Sequence, residues 1–125
     1  MADLETYRTL TPYLVVPDAD AEIRFLKSAF RATESSCQRN PEGSAMHAEF
    51  QVGNSLIMIG QAGQNWTALR AALYVWIPDV DAAYDRALKA GATSQSPPED
   101  KPYGHRNAGV VDSNGITWWI GSPCR

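Results

Sequence analysis

Cysteine is scarce in this 125-residue sequence: Cys37 and Cys124 are the two present. They have neither the C-x-x-C spacing of a metal or redox motif nor the density of a secreted disulfide scaffold, so reduced thiols are expected. Neither reads as catalytic, because Cys37 lies in Ser35-Ser36-Cys37-Gln38-Arg39, a strand-edge pattern, and Cys124 lies in the tail, where order is usually poor. Long apolar runs are missing too. No stretch approaches the length of a membrane span, and Met1-Ala2-Asp3-Leu4-Glu5 has no basic region leading into an apolar one, so a soluble, cytoplasmic protein with no membrane partner is expected. Positive charge is thinly spread. With a net charge of −3 and basic residues placed singly, no stripe exists to neutralise phosphates, which excludes nucleic acid as an expected partner.

What the sequence does contain is an echo of itself. Leu14-Val15-Val16-Pro17-Asp18-Ala19-Asp20-Ala21 opens a helical pattern that runs to Ala32-Thr33, and Val75-Trp76-Ile77-Pro78-Asp79-Val80-Asp81-Ala82 opens another that runs to Ala92-Thr93. Such a repeat means two similar halves. The length fits one domain, 1–125, with halves at about 8–60 and 70–122 and room for a core without staples.

In the first half an apolar strand over 10–16 stops at Pro17-Asp18, and Asp18 is placed to cap a helix whose Ile23, Leu26, Ala29 and Phe30 recur at helical spacing. Strands follow over 33–39, 45–52 and 55–59, with turns at Asn40-Pro41-Glu42-Gly43 and Gly53-Asn54. Residues 60–67 have linker composition. The second half repeats the order: a strand over 72–77, an Asp79-capped helix with Val80, Ala83, Tyr84, Ala87 and Leu88 on one stripe, and Gly91 as its left-handed stop. A strand begins at Thr93-Ser94, then Pro97 to Gly104 reads as a long loop of the kind that lies over binding sites, followed by strands over 107–111 and 116–121. The fold class is therefore α+β, with tandem βαβββ modules. Asp18, Asp20, Asp79 and Asp81 could pass for paired acid/base carboxylates, but capping and the helix dipole account for all four.

The tandem pattern, with Pro12-Tyr13-Leu14, His47-Ala48-Glu49-Phe50, Gly53-Asn54-Ser55-Leu56-Ile57-Met58, Ala90-Gly91-Ala92-Thr93, Tyr103-Gly104-His105-Arg106 and Asp112-Ser113-Asn114-Gly115-Ile116-Thr117-Trp118-Trp119, resembles the vicinal oxygen chelate superfamily. That superfamily includes glyoxalase I, extradiol dioxygenases and bleomycin-resistance proteins, and the wording here is similar to its PhnB-like or antibiotic-binding subgroup. Two departures stand out: PhnB-like proteins commonly carry Asp where this chain has His105, and Asp-Pro-x-Gly where it has Asp112-Ser113-Asn114-Gly115. The resemblance implies curved half-barrel sheets with helices outside, a cavity on the concave faces, and a homodimer, in some members with exchanged halves.

It also implies where a divalent metal would be held. Counting from the two Pro-Asp turns and from Gly115 puts Thr11, Ala72, Trp119 and either Met58 or Gly60 at the places of the family's His and Glu ligands. None supplies a hard donor set, so no metal and no cofactor is expected. His47 and Glu49 on one face of a strand, with His105 within reach, keep open a metal-dependent glyoxalase-like lyase, isomerase or dioxygenase with an atypical site; His105 as a general base stays open as well. The other reading of these residues is a solvated strand face and a loop histidine.

The pleat puts Tyr74 and Trp76 on the inward face of the second half, with Leu73, Val75 and Ile77 against its helix. Trp119, Tyr103 and His105 from the loop, Trp66 from the linker, and Tyr13 closing from the other half or a partner chain would complete an aromatic cleft, while Trp118 belongs to the core. Metal-free members of the superfamily sequester bleomycin, mitomycin or thiocoraline-like depsipeptides by stacking planar groups between such rings. The expected function is non-catalytic binding of an aromatic small-molecule or peptide antibiotic, in self-resistance or carriage.

Overall fold

The computed structural model describes residues 7–124. Each half forms an open four-stranded mixed sheet rather than a closed barrel. In the first half β1 (Tyr13–Val16), α1 (Ala19–Phe30), β2 (Thr33–Arg39), β3 (Ala45–Val52) and β4 (Ser55–Gln61) give the sheet order β1-β4-β3-β2. In the second, β5 (Ala72–Trp76), α2 (Val80–Lys89), β6 (Thr93–Asp100), β7 (His105–Val111) and β8 (Thr117–Pro123) give β5-β8-β7-β6. β1 runs parallel to β4 and β5 parallel to β8, which is possible because each pair is joined through a crossover; the hairpin neighbours are antiparallel. No described helix is long and apolar enough to cross a membrane.

The echoing Pro-Asp turns do the same work twice. Asp18 accepts from the Ala21 N–H and Asp79 from the Ala82 N–H, each at 3.1 Å, so both helices begin on a capped end. The second acid of each motif has another task than the expected one. Asp20 pairs with Arg39 at 2.9 Å and accepts the Ala45 N–H, whose hydrogen bond, ahead of Arg39, holds its carboxyl below the usual range; Asp81 takes Arg106 in a two-pronged pair at 2.9 and 3.0 Å. Both therefore tie a helix start to its outer hairpin. At the end of α1, Arg31 adopts the left-handed conformation with φ 56°, a place where glycine would be usual.

Three expected boundaries move. β6 continues through Pro97-Pro98 to Asp100, so the expected long loop shrinks to the tight turn Lys101–Gly104. Prolines are tolerated there because β6 is the outermost strand and one of its edges needs no donors. His105 accordingly is the first residue of β7, not a loop residue. In the first half Gly60 and Gln61 belong to β4 rather than to a linker, since Val15 and Val16 pair with them.

The halves join through their helix-covered faces. Phe25 and Phe30 of α1 pack on Trp118 of β8, with ring centroids 6.3 and 5.2 Å away, and Arg86 of α2 donates to the Ala29 carbonyl at 3.0 Å. Asn114, in the turn before β8, grips the start of α1: its amide accepts from the Asp18 N–H at 3.0 Å and donates to the Asp18 carbonyl at 2.9 Å and to Glu22 at 3.0 Å. One apolar cluster takes residues from both halves, Leu26, Phe50 and Ile59 from the first and Ala83, Val110 and Ile120 from the second. Since this seam consumes the inner face of each sheet, the opposite faces are left outward.

Candidate functional site

Alternation along β5 turns Leu73 and Val75 to the core and leaves Tyr74 and Trp76 on the outer face, as the pleat requires. On that face Tyr74 stacks on Trp76 at 4.6 Å and 38°, His105 meets the Trp76 ring edge-on at 4.9 Å, and Tyr103 meets His105 at 5.4 Å. Trp119 pairs in register with Tyr74 and faces the same way. Two glycines make this packing possible: a Cβ on Gly109 would stand 2.6 Å from the Trp119 ring, and one on Gly121 would run into the Tyr74 phenol. The rings lie close on the sheet because these two positions, Gly109 on β7 and Gly121 on β8, carry no side chains.

Tyr13 and Trp66 are elsewhere. Trp66 was expected beside the second-half cleft, but the bend closed by the Gly63–Trp66 bridge folds it back onto the first sheet, 5.5 Å from Tyr13. Tyr13 in turn meets His47 edge-on at 5.7 Å. This first-sheet face also carries Glu49, which accepts from the Tyr7 phenol at 2.7 Å; that bond, with some burial, pushes the Tyr7 phenol upward. The seven expected residues thus form two groups on different sheets, Tyr13 with Trp66, and Tyr74, Trp76, Tyr103 and His105 with Trp119. Among the described residues no ring contact joins the groups.

A groove of about 890 Å³ runs along β5 between the halves. Pro12, Leu56, Leu73, Tyr74, Trp76 and Trp118 are among the residues that line it. Its volume is within the range of small-molecule sites. It includes Tyr74 and Trp76 but not Tyr103, His105 or Trp119, so it adjoins the ring cluster rather than containing it.

The residues at the expected metal positions do not fit a divalent cation. Thr11, Ala72 and Trp119 offer at best one hydroxyl, Met58 a thioether, and the space above Gly60 is taken by the Tyr13 ring, 2.9 Å from where a Cβ would be. Among the described residues no three His, Cys, Asp or Glu side chains cluster. Glu49, the nearest carboxylate to His47 at 3.9 Å, is held by Tyr7.

One residue of this face was not foreseen. Asn107 lies two residues beyond His105 on β7 and donates its amide to Tyr103 at 2.9 Å and Tyr74 at 3.4 Å. Had β7 been started at His105, alternation alone would have put Asn107 on the same face as that histidine.

This tandem βαβββ chain has known counterparts. The family model for the glyoxalase/bleomycin resistance protein/dioxygenase superfamily matches residues 8–120. The chain belongs to this superfamily. An uncharacterised protein of Mycobacterium bovis, Mb0911c, is 33% identical, over 93% of this chain and 84% of its own. TioX from Micromonospora sp. ML1 superposes with a TM-score of 0.80 at 26% identity, covering 93% of this chain and 98% of that one. The fosfomycin resistance protein FosX from Mesorhizobium loti shares the fold, with a TM-score of 0.66 at 19% identity over 92% of this chain and 91% of its own.

Proposed function

We propose that this superfamily member binds and sequesters a planar aromatic small molecule or peptide antibiotic without transforming it. The observation that carries the reading is the exposed ring surface: Trp76 is 57% and Trp66 53% exposed, although each sits in a cluster of further rings. Leaving two indoles in water forgoes about 2 kcal/mol or more of burial energy each, so this surface is expected to be covered when the protein works. Flat, weakly hydrated groups are suitable cover, since they stack on indole and phenol faces in offset geometry.

In this reading Tyr13 and Trp66 form one wall, and Tyr74, Trp76, Tyr103, His105 and Trp119 the other. A ring clamped from both sides needs both walls, and the two lie on different sheets. A second copy of the chain supplies the missing wall in a homodimer, first sheet of one protomer against second sheet of its partner. The edge of β5 supports such a pairing. The Ala71 carbonyl and Ile77 N–H point to β8, so parallel alternation turns the N–H and carbonyl groups of Ala72, Tyr74 and Trp76 outward, where a partner can cover them.

Titration with bleomycin, mitomycin and a quinoline-bearing depsipeptide, followed by tryptophan fluorescence, tests this. At least one should quench emission saturably, and Trp76→Ala should lose most of the signal; no quenching by any of the three overturns the reading.

A further inference from the structure

Beneath the rings of the second sheet lies a polar group whose bonding is incomplete. Asn107 is 3% exposed, and its side-chain oxygen, Oδ1, has no hydrogen-bond partner among the described residues. A buried amide oxygen left unpaired is costly, and native proteins keep few of them. Its Nδ2 group is used, donating to the Tyr103 and Tyr74 phenols, but these two bonds are unlike. Tyr74 is pinned between Trp76 and Gly121, whereas Tyr103 sits on the Lys101–Gly104 turn and is 64% exposed. Of the groups over Asn107, Tyr103 is therefore the one with somewhere to go.

We infer that Asn107 is the specificity-determining residue of this site, and that the ligand is a flat heteroaromatic with a hydrogen-bond donor next to an acceptor, such as a lactam edge, which displaces Tyr103. The inference rests on the aromatic-binding reading and adds the polar half of the recognition. Rings alone tolerate any planar group. A primary amide does not, because its oxygen accepts and its nitrogen donates side by side, and together they pair with a cyclic N–H and its neighbouring acceptor. On displacement of Tyr103 one N–H of Asn107 turns to the ligand's acceptor, and the unpaired Oδ1 receives the ligand's N–H. The ligand thereby satisfies the Asn107 oxygen that the described residues leave unpaired. The Tyr103 phenol, already largely in water, loses little.

Calorimetric titration with 2-quinolone and its N-methyl derivative isolates this pairing, since methylation removes the donor and preserves the ring. The wild type should bind 2-quinolone at least about tenfold more tightly. Asn107→Leu should bind the two alike. Tyr103→Phe, which keeps the ring and removes the competing phenol, should widen the preference, and it gives an answer even if Asn107→Leu does not fold. Equal binding of the two probes by the wild type, or a preference that persists in Asn107→Leu, overturns the role of Asn107 while leaving the aromatic reading standing. Binding of neither probe counts against both.

Discussion

Glu22→Gln will make the protein more stable, by roughly 4–5 kcal/mol at pH 8 and by less than about 1 kcal/mol near pH 5. Glu22 is on α1, wholly buried where the two halves meet, with Oε1 accepting from Asn114 at 3.0 Å and Oε2, unless protonated, without a donor among the described residues. Burial first, then the Asp112 carboxylate beside it, push its carboxyl up from 4.5 to about 9, against a smaller opposing pull from Asn114. Asp112 is itself held by the Asn114 and Ile116 N–H groups and by the Trp118 indole at 2.9 to 3.0 Å. The folded protein therefore keeps a proton on Glu22 that the unfolded chain releases above about pH 4.5.

The sign follows directly. The folded state binds more protons between pH 4.5 and about 9, so the stability associated with Glu22 is complete below that window and is lost as pH rises through it. Each unit costs up to about 1.4 kcal/mol. A glutamine is neutral at every pH, keeps an oxygen for Asn114, and can offer an N–H to Asp112 as the protonated acid does. Urea unfolding of both proteins at pH 5 and pH 8 checks this, because other titrating groups cancel in the difference. A gap that is the same at both values, or a less stable variant at pH 8, contradicts it.

The adjacent indoles Trp118 and Trp119 will respond to truncation very differently. Trp118 is fully buried between Phe25 and Phe30 and donates to Asp112, so Trp118→Ala opens a large cavity at the seam and frees a buried carboxylate oxygen. A loss of about 3–5 kcal/mol, and a fall in Tm of roughly 10 °C or more, is expected. Trp119, half-buried on the outward face over Gly109, should cost about 1 kcal/mol when truncated, as it gives up partial packing without opening the core. Thermal unfolding followed by circular dichroism measures both. Losses of equal size would mean that the outward face is structural rather than a binding surface.

This contrast was legible in the sequence, because strand alternation separates Trp118 from Trp119 once the strand is recognised. The βαβββ order, both capping aspartates and the division of residues 73–77 into a helix-packed face and a ring-bearing face were readable on the same grounds, whereas the ring-bearing face, expected inward, turned out to be the outer one. What local pattern could not supply is information about long-range contacts. Pro97-Pro98 looks like a loop unless β6 is known to be an edge strand, and that misplacement left His105 in a loop instead of at the start of β7. Trp66 went to the wrong face because a short turn, rather than composition, decides where the chain after β4 folds back. By position alone Glu22 is an ordinary first-turn acid. Its burial arises from Asn114 and Asp112, which the fold brings over from the other half. The joining of the halves through their helices likewise turns one expected cleft into two separate walls.

Whether those walls meet across a dimer can be measured with mixed protomers. A chain carrying Tyr13→Ala and Trp66→Ala has lost one wall, and a chain carrying Trp76→Ala has lost part of the other; each homodimer should fail to bind the quinoline-bearing depsipeptide. Separately tagged and co-purified, the mixed dimer rebuilds one intact pair of walls and should bind one ligand per dimer at wild-type affinity. A mixed dimer that binds no better than its parents, or a wild type that binds as a monomer, would contradict the account.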